Sequence, residues 1–166
     1  IQSFERPARD NEVLIIPGMG FGTGHHETTR DVIALLQEID DQISTVLDFG
    51  TGSGILSIVA SKIFKPSTIV ALVNDEEALK NATENLFMNG VTAELTTSFP
   101  DIPYDLIVAN VYAEVLIEQR LFKGKWCILS GILKEKSDSV LEVYLEMYTL
   151  VKRSDSGQWV TLLLKA

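Results

Sequence analysis

Val46 to Ile58 reads VLDFGTGSGILSI: an apolar run holding one acid, Asp48, then three alternating glycines (Gly50, Gly52 and Gly54) and a second apolar run. This order predicts a strand that turns sharply into a helix, with a main chain that a ligand can approach closely. Glycine suits both demands. A Cβ would obstruct ligand or turn, and the first N–H groups of a helix have no partner inside it. In open α/β sheets such ligands lie outside the carboxyl ends of the strands. The spacing narrows the choice of ligand. A dinucleotide fingerprint asks for G-x-G-x-x-G, but here the third glycine falls one place early and Ile55 stands where that pattern needs Gly. No Gly-Lys-Ser/Thr follows, which disfavours a phosphate-binding P-loop. The bland alternative is a glycine-rich turn with no ligand.

Outward from this turn, runs rich in Val, Ile and Leu alternate with helical patterns, the sign of βα units stacked into a doubly wound, mostly parallel sheet. Upstream, VLIIP (13 to 17) reads as a leading strand and Glu27 to Asp40 as a helix with Val32, Ile33, Leu35, Leu36 and Ile39 on one face. The glycine turn joins a strand at Thr45 to Phe49 to a helix at Ser53 to Phe64. Thr68 to Val73 is expected as a strand, Asp75 to Met88 as a helix closed by Asn89-Gly90, and Thr92 to Thr96 as a short strand. Tyr104 to Asn110, Ala113 to Leu121, Lys125 to Ser130 and Lys136 to Met147 then alternate strand and helix. Tyr148 to Lys152 and Gln158 to Leu164, joined by the polar turn SDSG, read as a C-terminal antiparallel hairpin. No repeat or interdomain linker interrupts residues 1–166, so one domain is expected.

Composition agrees with a globular α/β domain. The chain has 166 residues, 46% apolar and 22% charged, enough for a single core without disulfides or metals. No apolar run approaches the roughly 20 residues of a membrane span. The start, IQSFERPARD, lacks the basic and apolar regions of a secretory signal, so a cytoplasmic setting is expected. The single cysteine, Cys127, falls in the strand-like WCILSG and reads as a small core hydrophobe rather than a nucleophile. A formal charge of −9 argues against a nucleic-acid partner, whose phosphates need clustered Lys and Arg; it would steer a basic protein favourably, or serve solubility alone. His25 and His26 are the only histidines and make no tetrahedral metal set with the distant Cys127, so no metal is expected. Their alternatives are a base, a ligand contact, or ordering of their own loop.

PGMGFGTGHHETTR (Pro17 to Arg30) is the more specific signature. With it the chain closely resembles the PrmA family, the ribosomal protein L11 methyltransferases. Further matches follow in the same order: LDFGTGSGILSI, ENLFMNGV, DLIVANVYAEVL, LSGILKEKSDSV and the terminal GQWVTLLLK. The G-x-G-x-G turn preceded by Asp48 is similar to the first motif of class I, Rossmann-like methyltransferases. The resemblance implies S-adenosylmethionine as cofactor, with Thr29, Gly50, Gly52 and Asn110 as its contacts. It also implies transfer of methyl groups to lysine or N-terminal amines of ribosomal protein L11. Thr29 offers a hydroxyl, the glycines admit the ligand to the main chain, and Asn110 offers an acceptor and donors. No catalytic side chain is assigned, because in-line displacement needs orientation and desolvation rather than a covalent nucleophile.

The chain departs from the family pattern in three ways. Where the family has an acid at the tip of the second strand for the ribose hydroxyls, this chain has Val73, with Asn74 and Asp75 as candidate replacements. Asp75 reads equally as the cap of the following helix. The family's N-terminal substrate-recognition domain has no counterpart in these residues. VLIEQRLFKGK, between the fourth and fifth strands, replaces a longer helix and its Pro-Gly-Gly turn. The competing expectation is a degenerate methyltransferase fold that has become an interaction module with weak or no cofactor binding. An enzyme acting on glutamine or nucleic-acid amines would carry Asn-Pro-Pro-Tyr where Asn110-Val111-Tyr112-Ala113 stands.

Overall fold

The computed structural model describes residues 12–16, 18 and 27–166. Helix α1 (Glu27–Leu36) leads into β1 (Thr45–Phe49), α2 (Ile55–Phe64), β2 (Thr68–Leu72), α3 (Glu76–Met88), β3 (Glu94–Thr96), β4 (Tyr104–Asn110), α4 (Ala113–Gln119) and β5 (Gly124–Leu133). A 3-10 turn at Lys134–Lys136 precedes α5 (Ser137–Tyr144) and the strands β6 (Thr149–Ser156) and β7 (Trp159–Lys165). Among the described residues the strands form one seven-stranded sheet in the order β3-β2-β1-β4-β5-β7-β6. The first five are parallel and β7 joins β5 and β6 antiparallel, as the alternating pattern and terminal hairpin predicted.

The pleat sorts the central strands between two cores, because successive side chains point to opposite faces. Leu47, Phe49, Ile107, Ala109, Cys127 and Leu129 enter one cluster, which α4 and α5 cover through Leu116, Val140 and Tyr144. Val46, Leu106, Val108, Trp126 and Ile128 enter the other, beneath α1 and α2. Burial on both faces is why these strands read as unbroken apolar runs. Each fully buried Leu or Ile contributes roughly 1.5–3 kcal/mol. Cys127 lies wholly inside, and burial pushes its thiol far above the ordinary range, so it is the core hydrophobe expected.

Several boundaries differ from the sequence expectation. The first helix stops at Leu36 rather than Asp40, although Glu38 and Ile39 continue it with tighter bonds to Leu35 and Leu36. The last helix spans only Ser137–Tyr144: Lys136 belongs to the preceding 3-10 turn, and residues 145–147 wind as a turn. Strand β5 runs on to Leu133 through an irregularity between Leu129 and Ile132. The leading strand expected at 13–17 is absent over Val13 to Ile16, and Pro17 lies outside the described residues. Its backbone bonds go to side chains instead: Asn89 exchanges two bonds with Leu14, and Asn85 does the same with Ile16.

Candidate functional site

The chain order leaves β1 toward β2 and β3 on one side, then returns to β4 and β5 on the other, so the reversal falls between the carboxyl ends of β1 and β4. Open α/β sheets form their ligand crevice at such a point. A cavity of about 730 Å³ opens there. Phe49, Gly50 and Gly52 form its floor, Asn74 and Asp75 one side, and Asn110 to Tyr112 the other.

The glycine turn owes its shape to local bonds. Gly50 has φ +77°, and a Cβ there would come within 2.8 Å of the Val111 side chain, so only glycine fits both backbone and neighbour. Buried Asp48 braces the turn from beneath: one carboxylate oxygen accepts the hydroxyls of Thr51 and Ser57, each at 2.7 Å. Its other oxygen has no partner among the described residues. Burial raises the Asp48 pKa, and the bonds from Ser57 and Thr51 oppose that rise. The Thr51 N–H donates to the Leu72 carbonyl at 2.9 Å, which ties the turn to the tip of β2.

At the neighbouring tip, Val73 is buried and lies outside the cavity wall, while Asn74 and Asp75 are exposed and form part of it. Strand β2 ends at Leu72, before all three residues. Asp75 caps α3, one oxygen accepting the Ala78 N–H at 2.7 Å. The Asn74 carboxamide is therefore the polar group at this position with no capping duty. Beyond it the wall continues through Thr97, Ser98 and Phe99, and the Phe99 ring meets Phe49 edge to face, with centroids 5.7 Å apart.

Of the residues expected from sequence, Gly50, Gly52 and Asn110 meet at this cavity. Thr29 does not reach the wall: it is wholly buried, and its hydroxyl has no partner among the described residues. Thr28 lines the cavity instead, and its hydroxyl accepts the Asn110 side-chain N–H at 3.3 Å. Adjacent helical residues lie about 100° apart around the axis, so one position decides which threonine faces the ligand. His25 and His26 lie outside the described residues. Among the described residues no group of His, Cys, Asp or Glu could hold a metal.

The sequence reading missed Thr28, Phe99, Gly131 and Trp159 as wall residues. The register that pairs Leu133 with Trp159 brings the last into place. Gly131 has φ +79°, and a Cβ there would stand 2.6 Å from the Val111 carbonyl and 3.1 Å from the Asn110 side-chain oxygen. The connection after α4 is pinned by two buried tyrosines. The Tyr144 hydroxyl donates to the Leu116 carbonyl and accepts the Leu121 N–H; that of Tyr148 donates to Leu121 and accepts Gly124 N–H. Residues 121–124 are thus held to the core.

Sheet order, glycine turn and crevice together are those of the class I S-adenosylmethionine-dependent methyltransferase fold. A structure of M. capricolum TrmK in complex with S-adenosylhomocysteine has that fold, with a TM-score of 0.65 at 12% identity, over 81% of this chain and 67% of that one. The chain belongs to the family described as ribosomal protein L11 methyltransferase (PrmA), whose model matches residues 2–166. It is 40% identical to the ribosomal protein L11 methyltransferase of Desulforapulum autotrophicum, over 97% of this chain and 57% of that protein. A ribosomal protein L11 methylase structure from Lactobacillus delbrueckii subsp. bulgaricus has a TM-score of 0.77 at 29% identity, covering 86% of this chain and 80% of that one. The chain spans a little over half the length of the curated relatives it matches.

Proposed function

We propose that this chain is the cofactor-binding and catalytic part of an S-adenosylmethionine-dependent protein methyltransferase acting on lysine or N-terminal amines of ribosomal protein L11. The observation that carries the reading is the cavity that runs from the glycine turn to Asn110. Its size falls in the usual range for cofactor sites, and its wall combines apolar surface with a few polar groups. S-Adenosylmethionine, when bound, supplies a methyl group on a positively charged sulfur. Gly50 and Gly52 let the ligand reach the main chain. Asn74 and the free oxygen of Asp75 stand in for the acid that Val73 replaces, as acceptors for ribose hydroxyls. Phe49 and Phe99 offer an apolar wall. Thr28 orients the Asn110 carboxamide.

The acceptor amine must be neutral, and a lysine near its ordinary pKa lies roughly 4 kcal/mol from that state at neutral pH. Asp75 is the one charged residue in the described wall, at the opposite side from Asn110. A neutral mouth around Asn110, Val111 and Tyr112, once covered by the bound substrate, favours the uncharged amine and lowers that deficit. We infer a cytoplasmic setting, in which a ribosomal protein is available. Among the described residues no helix is long and apolar enough to cross a membrane.

Titration calorimetry with S-adenosylmethionine, with NAD as competitor, tests the cofactor reading, and incubation with ribosomal protein L11 followed by mass spectrometry tests the transfer. Micromolar binding and mass gains of whole methyl groups are expected. Val73 and the capping duty of Asp75 favour one second reading, a methyltransferase-fold interaction module without a working ribose contact. Absence of cofactor binding together with capture of L11 would establish that reading instead.

A further inference from the structure

Three asparagines of one helical face, Asn81, Asn85 and Asn89, hold the segment that precedes α1. Asn89 donates to the Leu14 carbonyl at 2.7 Å and accepts the Leu14 N–H at 2.8 Å. Asn85 accepts the Ile16 N–H at 2.7 Å and donates to the Ile16 carbonyl at 3.2 Å, which Asn81 also reaches at 2.8 Å. The spacing is a geometric match: four helical residues advance about 6 Å and two extended residues about 6.6 Å. Carboxamides one turn apart can therefore pair with alternate peptides, as a neighbouring strand would. A Cβ on Gly18 would fall 2.6 Å from the Asn81 side-chain oxygen, so the close approach extends two residues further.

Asn85 does more than hold this segment. Wholly buried, it also donates to the Ser53 carbonyl at 2.8 Å, inside the glycine turn. One carboxamide thus joins the leading segment, α3 and the turn.

We propose that Asn85 is a positioning residue for the cofactor, through which seating of Leu14 and Ile16 on α3 sets the shape of the glycine turn. Cofactor affinity and occupancy of that seat are then coupled, and the coupling is reciprocal. The inference rests on the cofactor reading above.

The test uses the whole chain, S-adenosylhomocysteine as probe, calorimetry, and amide hydrogen exchange with and without the probe. Asn85→Leu should weaken binding about 5- to 10-fold, the effect of one lost hydrogen bond at a buried carbonyl. Ile16→Pro removes the N–H that Asn85 accepts, fixes φ and replaces the side chain at that position, and changes no residue of α3 or the turn. It should weaken binding in the same direction, and the double variant should bind no worse than Asn85→Leu. Exchange at Gly54 should quicken in both variants without ligand, and in the wild type the probe should slow exchange at Leu14 and Ile16. Trp126→Phe, which loses its bond to Asp41 far from the turn, serves as a destabilised control with unchanged affinity. Wild-type affinity in both variants, strictly additive losses, or no protection of Leu14 and Ile16 in a wild type that binds would overturn the coupling alone. A wild type that does not bind the probe would overturn the cofactor reading and this inference together.

Discussion

At the scale of single residues, the site depends on which atom of a short motif meets the cavity. Asn74 takes the wall position at the tip of β2, whereas Val73 turns into the core and Asp75 spends one oxygen on its helix. A neutral hydrogen bond is worth about 0.5–1.5 kcal/mol. Asn74→Ala should therefore weaken S-adenosylmethionine binding about 2- to 13-fold in calorimetry, with an unchanged melting temperature because the side chain is exposed. An unchanged dissociation constant would remove Asn74 from the ribose contact. Gly131 is a stricter case, since its backbone is left-handed and its missing Cβ leaves room for the Val111 carbonyl and the Asn110 side chain. Gly131→Ala should cost about 1–3 kcal/mol in denaturant unfolding. Methyl transfer should fall further than stability explains, because Asn110 must shift; wild-type turnover in the folded variant would rule that out.

At the scale of elements, connections do the positioning. The link from α1 to β1 is fastened to β5 by Asp41, which accepts from Lys125 at 2.8 Å and from the Trp126 ring N–H at 3.1 Å. Those two bonds hold the Asp41 carboxyl down at about 2. A carboxylate depressed on folding stabilises above its unfolded pKa, and the gain is lost as pH falls through the folded value. The stability difference between wild type and Asp41→Asn should accordingly be full at neutral pH and shrink between the ordinary carboxylate range and about pH 2. A difference that persisted unchanged to acid would place the effect in packing rather than in charge. Helix α3 is the other element with two duties, offering apolar Ala82 and Leu86 to the interior and its asparagines to the leading segment.

For the whole molecule, the excess of acid over base gives a net charge of −9. A basic protein substrate would be drawn in from beyond contact distance, and salt screens that attraction with a Debye length of about 8 Å at physiological ionic strength. If ribosomal protein L11 is the substrate, as proposed, raising salt from low to moderate concentration should increase its KM several-fold, while cofactor affinity and kcat change little. A KM insensitive to salt would mean that contacts rather than field select the substrate. Cores on both faces of the sheet give a packed floor from which the turn, Asn74 and Asn110 project.

Much of this was legible in the chain itself. The βα alternation, glycine turn, terminal hairpin and place of Asn110 at the end of β4 are local patterns, since hydrophobic period and turn chemistry act over a few residues. Tertiary structure alone decided that Thr28 rather than Thr29 faces the cavity, because the rotation of α1 follows from its packing against the sheet. It also brought Trp159 and Phe99 to the wall, through strand register and a loop that carries no period. The segment at 13–16 shows the limit most plainly. Its apolar residues read as a strand, yet its peptides pair with side chains 65 to 75 positions away. Any extended chain must satisfy its N–H and C=O groups, but only the folded molecule determines which partner stands opposite.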